Sequence, residues 1–273
     1  MKIKIITLSL ILCLGIISCS SFISGFADSL GRNAADRLVN PPSNNSSGGG
    51  TQQSQSQAPV DPNRRAAQDT ANWNIAALDT AANANYLTGI EKDVILEMNK
   101  VRSNPRRYAE LYIQPRLPYY SGRNYSAPGQ ITIVTQEGIA AARECINALN
   151  AAGSAGLLFP DRGLSLASKD HVADQNRTGQ VGHYGSDRSD PEVRASRYGR
   201  LSGAGIIGEN ILYGGVSGRE IVVELLIDDG VPNRGHRISI LNGTFTQTGA
   251  GFGSHPRYGT SCTIKYAAGY SSN

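Results

Sequence analysis

The chain is poor in several things at once. Its 273 residues include one tryptophan, two methionines, four cysteines and four histidines, and only 18% of the side chains are charged. The formal charge is +4, falling to +2 once Lys2 and Lys4 are discounted, and the arginines are scattered without forming a run. A balance that weak excludes the electrostatic footprint of a nucleic-acid binder, so no nucleic acid is expected as a partner. Gly-x-Gly-x-x-Gly, a phosphate loop and a compact His-Glu-x-x-His are all missing, which removes the usual nucleotide and zincin signatures. There is no internal repeat, and no serine or cysteine nucleophile has an evident basic partner.

What is present begins with the ends. Lys2 and Lys4 precede an apolar run from Ile5 to Ile17 that stops at Ser18-Cys19. A basic start and a short apolar stretch predict a secretory signal over 1–18, too short to span a membrane as a stable helix. Ile16-Ile17-Ser18-Cys19 resembles a bacterial lipobox, which would make Cys19 the acylated first residue and the membrane a partner. The expected location is then that of a cell-surface or periplasm-facing lipoprotein; an ordinary cleaved signal and a secreted protein is the alternative. Residues 40–62 are rich in Pro, Ser, Gly and Gln and have almost no apolar side chains, so they cannot offset the entropy of ordering. Residues 19–88 therefore read as a flexible tether. Its last part, 63–88 with Trp73, has a short helix at most and no expected packing. The folded domain is expected over 89–273, a normal size for one hydrophobic core.

Within that domain two cysteines remain. Cys145 and Cys262 can join in one disulfide in an exported protein; a buried free thiol is the alternative for Cys145. Ile90, Val94, Met98 and Val101 recur at helical spacing, and Asn104-Pro105 suits the start of a second helix through Ile113. Tyr119, Tyr120 and Tyr125 fall in a Pro- and Gly-punctuated loop. Thr135 is placed to cap a helix to about Asn150. Leu164, Ala167, His171 and Asp174 share a helix face that Gly179 should end. Ile206–Tyr213 reads as a strand, and Ser217-Gly218-Arg219-Glu220 opens a helix bearing Ile221, Leu225 and Asp228 on one stripe. Thr248–Gly253 and Cys262–Tyr270 alternate like strands. Helices that precede, interrupt and flank short strands predict an α+β layered domain.

All four histidines lie between 171 and 255. His183 and His236 follow glycines, and Glu209 sits in Gly208-Glu209-Asn210. Asp228 continues the inward helix stripe, with Asp229 directed away. A carboxylate at a helix C-terminus opposes the macrodipole, so a cation is needed nearby: Arg234, Arg237, protonated His236 or a metal. His183, Glu209, Asp228 and His236 come from four separate elements, as residues lining a cleft do. Their spacing alone leaves a metal site and a structural hydrogen-bond network both open. His171 reads as a hydrogen-bonded core histidine and His255 as a loop residue, with a place on the cleft rim as the alternative.

The ordered set Gly182-His183-Tyr184-Gly185-Ser186-Asp187, Arg197-Tyr198-Gly199, Gly208-Glu209-Asn210-Ile211, Val222-Val223, Gly235-His236-Arg237 and Gly249-Ala250-Gly251 resembles the CAP superfamily, or SCP domain, in a bacterial form. The superfamily takes in cysteine-rich secretory proteins, antigen 5 and pathogenesis-related 1 proteins. The resemblance covers about residues 90–270. It implies a three-layer α-β-α sandwich and an extracellular setting. It also implies a cleft in which His183, Glu209, Asp228 and His236 bind zinc or another divalent metal in some members. Relatives carry Glu after Trp where this chain has Leu225-Leu226-Ile227-Asp228, and the shorter Asp has less reach. The resemblance does not itself fix a function. A surface-anchored module binding a metal, small molecule, lipid or protein is the expected reading. The alternatives are a metal-assisted hydrolase with Glu209 as general base and a tetrad that is purely structural.

Overall fold

The computed structural model describes residues 61, 63 and 73–273. The expected signal, the lipidation site Cys19 and nearly all of the low-complexity tether lie outside the described residues. The short helix α1 (Ile75–Leu78) leads to α2 (Gly89–Ser103). Thr88 and Glu91 close a capping box: the Thr88 hydroxyl accepts the Glu91 N–H, and the Glu91 carboxylate accepts the Thr88 N–H at 2.7 Å. As the helical spacing predicts, Ile90, Val94, Met98 and Val101 are buried.

The chain continues through α3 (Pro105–Tyr108), a π-helical turn (Ala109–Ile113) and a 3-10 segment (Gln114–Tyr119). Three two-residue strands follow, β1 (Tyr120–Ser121), β2 (Asn124–Tyr125) and β3 (Ile133–Val134), forming a small antiparallel sheet where a loop was expected. Tyr120 and Tyr125 pair directly across it, and the Arg116 guanidinium stacks 4.3 Å over the Tyr125 ring. Helix α4 (Ile139–Ala151) starts from Gly138 at φ +62, not from Thr135. The Thr135 hydroxyl instead accepts the Gly138 N–H and fixes that turn.

Then come β4 (Phe159–Pro160), α5 (Arg162–Thr178), α6 (Pro191–Ser196), β5 (Gly199–Tyr213), α7 (Gly218–Ile227), α8 (Gly235–Leu241), β6 (Gln247–His255) and β7 (Gly259–Ser272). Gly179 ends α5 in the left-handed conformation at φ +69, as its position predicts. The main sheet runs β4-β6-β7-β5, with β4 parallel to β6 and the other pairs antiparallel. Alternation along β7 sends Ile264 and Tyr266 into a core shared with α2 and α7, while Ala267 joins Leu164 and Ala167 of α5 on the opposite face. The result is the expected α-β-α sandwich. Close approach of α5 to the sheet requires two glycines. A Cβ on Gly249 would lie 2.2 Å from the Ser165 nitrogen, and one on Gly251 2.6 Å from the Lys169 nitrogen.

Two expectations are corrected. Residues 73–88 are not tether: Trp73, Leu78, Ala81, Ala84 and Leu87 are buried in the same core as α2 and α7. Asn99 clamps this segment, its amide donating to the Leu78 carbonyl at 3.0 Å while its oxygen accepts the Leu158 N–H at 2.8 Å. Trp73 donates to the Tyr112 hydroxyl at 2.8 Å. Cys145 and Cys262 form no disulfide. Cys145 faces the core from α4 and Cys262 from β7, each a buried free thiol. Burial pushes Cys145 up to about 12 and raises Cys262 as well, so both are inert at neutral pH.

Candidate functional site

The Gly182-His183 loop leaves the end of α5. Gly182 adopts φ +96, donates its N–H to the Tyr213 hydroxyl at 2.9 Å and offers its carbonyl to His171 Nε2 at 2.8 Å. This turns His183 toward β5, where its Nδ1 lies 2.9 Å from Glu209. The Glu209 carboxylate also accepts from Arg194 Nη2, at 2.9 and 3.0 Å, and from Lys265 Nζ on β7. All these side chains are within a few per cent of complete burial. Burial alone would raise the Glu209 carboxyl, but Lys265, Arg194 and His183 hold it well below the usual carboxylate range. Burial pushes the Lys265 ammonium down to about 8 against the opposing pull of Glu209.

The second pair forms at the junction of α7 and α8. Helix α7 ends at Ile227, and Asp228 is its cap residue in the left-handed region at φ +54. The Asp228 carboxylate accepts the His236 N–H at 2.9 Å and lies 2.6 Å from His236 Nδ1. The cation that the helix end calls for is Arg234, whose Nη1 donates to the Asp228 carbonyl at 2.7 Å. Asp229 is not directed away. It is equally buried, and its carboxylate accepts the N–H groups of Gln136 and Glu137 at 2.8 and 2.7 Å.

Glu209 and Asn210 are consecutive strand residues and face opposite ways. Glu209 serves the His183 pair, while the Asn210 amide reaches the His236 carbonyl at 3.0 Å and the Tyr266 hydroxyl on the other side. The expected tetrad is thus two His–carboxylate pairs placed around one segment of β5. Among the described residues no three His, Cys, Asp or Glu side chains gather as a metal-ligand group. Glu209 is spoken for by two cations, and Asp228 by the backbone of α8. Among the described residues, neither His183 Nε2 nor His236 Nε2 has a hydrogen-bond partner.

His171 is a fully buried core histidine, as expected. His255 is not the loop residue expected. It closes β6, 2% exposed, with Nε2 3.1 Å from the Gln180 carbonyl and Nδ1 accepting the Arg257 N–H. Arg194 and Lys265 were not singled out in the sequence. The signal for Lys265 is its place in an alternating strand beside the inward residues Ile264 and Tyr266; Arg194 follows no pattern.

Residues 136–266 match the profile of the cysteine-rich secretory protein family, CAP. By this match residues 136–266 are a CAP-domain segment. The matched segment holds both His–carboxylate pairs, Arg194 and Lys265, while α1, α2 and α3 of the sandwich precede it. Two solved structures show weaker likeness to the chain. One is an extracellular protein containing an SCP domain from Bacillus anthracis str. Ames, 19% identical, with a TM-score of 0.33, covering 45% of this chain and 36% of that one. The other is an outer surface protein from Borrelia burgdorferi, 14% identical, with a TM-score of 0.33, covering 48% of this chain and 90% of that one. No curated protein matches the sequence.

Proposed function

We propose that the protein is an exported recognition module, held to a membrane through acylated Cys19, whose CAP domain takes a divalent metal or a small ligand at the imidazoles of His183 and His236. The observation that carries this reading is that each imidazole has Nδ1 fixed by a buried carboxylate while Nε2 has no hydrogen-bond partner among the described residues. A carboxylate behind the ring sets its tautomer and orientation and raises the basicity of the far nitrogen. The four residues do not fit a site in which all are direct ligands. A metal would be met by Nε2 of His183 or by Nε2 of His236, each pair acting separately, with Glu209 and Asp228 orienting the rings. A zinc ion bound there would supply Lewis acidity toward water.

Hydrolysis with Glu209 as general base finds little support, because a carboxyl held that far below its usual range is a weak base. A purely structural role is the second reading, and the closed Glu209 ion cluster favours it. Calorimetric zinc titration of the protein beside a His183→Ala/His236→Ala double variant decides between them. Micromolar binding lost in a variant that melts normally supports the ligand site. Absence of binding, with a variant that melts far lower, makes both pairs scaffolding. The anchor is tested separately by fatty-acid labelling of the wild type and Cys19→Ala.

A further inference from the structure

Strand β5 ends the main sheet, with β7 on one side and none of the described strands on the other. Gly214, just past its end, donates its N–H to the Thr260 carbonyl at 3.0 Å. The register of β5 on β7 is unbroken from Ile206 to Tyr213, so Ile206, Gly208, Asn210 and Leu212 share that orientation and bond to β7. Successive residues of an antiparallel strand alternate in this respect, so the main-chain groups of Ile207, Glu209 and Ile211 point outward. Among the described residues no hydrogen bond reaches these outward N–H and carbonyl groups. Glu209 shows that the edge is open to solvent. Its side chain is 1% exposed, yet the residue as a whole is only part-buried, so what lies at the surface is main chain.

The opposite edge of the sheet is closed. Asp161 donates its N–H to the Thr248 carbonyl at 2.8 Å, and the Glu91 carboxylate accepts the Phe252 N–H at 3.0 Å. Cover of that kind keeps a sheet from pairing with other chains, and β5 lacks it. Beside the open edge, between α6 and β5, lies a recess of about 50 Å³ lined by Ala195, Leu201, Ile207 and Tyr270, with Glu192 and Ser196 on α6. It has room for one small aliphatic side chain. We propose that the free edge of β5 takes an extended peptide segment of a partner protein as an added strand, with an aliphatic side chain of that segment in the recess. This rests on the reading of the protein as a recognition module and gives its partner a chemistry. Complementarity of partial charge selects the occupant. Outward N–H and carbonyl groups repeat every second residue, roughly 7 Å apart, and another extended main chain meets both kinds. A metal takes only the carbonyls, and a lipid tail takes neither. The His183–Glu209 pair on one face of β5, and Asn210 with the His236 carbonyl on the other, flank the added strand.

The test is an NMR titration of the protein, with no metal added, using a blocked heptapeptide of alternating threonine and valine. Saturable shifts are expected at the Ile207, Glu209 and Ile211 amides, with hydrogen exchange there slowed at least tenfold. The same peptide N-methylated throughout has no main-chain donors and is expected to bind at least tenfold more weakly. Ser196→Trp, at an exposed position on the recess, is expected to weaken binding at least tenfold without changing the melting temperature. The methylated comparison uses the wild type, so it stands even if that variant does not fold. No saturable response would overturn the proposal, as would equal binding of the methylated peptide or undiminished binding to a folded Ser196→Trp protein. Slow exchange at these amides without peptide, in a protein that sediments as a dimer, would overturn it in favour of a second copy of this chain. Failure here leaves the imidazole reading to the zinc calorimetry, and absence of zinc binding leaves the peptide result standing.

Discussion

Glu209 and Lys265 are directly opposed partners on β5 and β7, and they close an ion pair inside the sandwich with side chains 1% and 0% exposed. Arg194 shares the same carboxylate. The two ends of this pair are therefore unequal. Removing the carboxylate strands two buried cations, whereas removing the lysine leaves Glu209 still neutralised by Arg194. Glu209→Gln is expected to cost about 3–5 kcal/mol, in the range for breaking a buried pair, and Lys265→Met clearly less. Urea unfolding of both variants checks the order; a larger loss for Lys265→Met would show that Arg194 does not compensate.

Gly251 is where α5 presses on the sheet. A methyl group there would meet backbone atoms of Ser168 and Lys169 at 2.6 Å, which no side-chain rotation relieves. Gly251→Ala is expected to cost about 3 kcal/mol or more, the upper range for overpacking. Gly243→Ala, where a Cβ meets nothing within 4 Å, serves as the matched control and should melt within a few degrees of the wild type.

The parts of this fold that could be read from the sequence are those encoded locally. Gly179 as a helix stop, Ser217 as a cap and the alternation of Thr248–Gly253 each act within a few residues, and each stands where it was expected. What escaped depends on partners far along the chain. Residues 73–88 bury Trp73, Leu78 and Leu87 at irregular spacing with the small Ala81 and Ala84 between them, so their hydrophobic pattern is faint, and Asn99 fixes their docking. Asp229 looked solvent-directed because α7 was extended through it. The helix stops two residues earlier, and the carboxylate turns to cap the 136–137 backbone. The His–carboxylate pairs were legible as residues. Their separation into two pairs was not, since it follows from the register of β5 on β7.

His171 makes the fold sensitive to acid. Burial, joined by Arg194 and Lys265 and opposed by Glu209, pulls its pKa from 6.5 to about 4. Between those values the unfolded chain takes up a proton that the native state refuses, so stability falls as pH drops through that window. The loss reaches roughly 3 kcal/mol by the lower end. Glu209, with its folded pKa depressed, contributes stability that is present above about pH 4.5 and is lost below it. Denaturant unfolding at pH 7, 6, 5 and 4.5 should show the first slope, and His171→Gln should flatten it. An unchanged slope in that variant would assign the acid sensitivity to another group.

Trp73 is the test of whether the domain begins before residue 89. Its ring packs 6.4 Å from Tyr108 and 6.5 Å from Tyr112, and it is 9% exposed. Trp73→Ala should cost about 3 kcal/mol or more, as large-to-small changes in a core do. A chain starting at residue 89 should be less stable still, since it also loses Leu78 and Leu87. Equal melting of chains starting at 73 and 89 would return this segment to the tether.

Asp228 combines a backbone demand and a side-chain demand at one position, and substitutions can separate them. Its φ of +54 disfavours residues with a Cβ, while its carboxylate serves both the His236 N–H and His236 Nδ1. Asn tolerates the left-handed region and keeps an acceptor, so Asp228→Asn should lose about 1 kcal/mol. Asp228→Gly keeps the backbone but strands the two donors, which costs about 2–3 kcal/mol. Asp228→Ala suffers both penalties and should be worse than Gly by about 1 kcal/mol, the cost of the left-handed conformation. Thermal unfolding of the three variants reads the order directly. If Ala and Gly melted together, the left-handed turn would be free to relax, and the orientation of His236 would rest on the carboxylate alone.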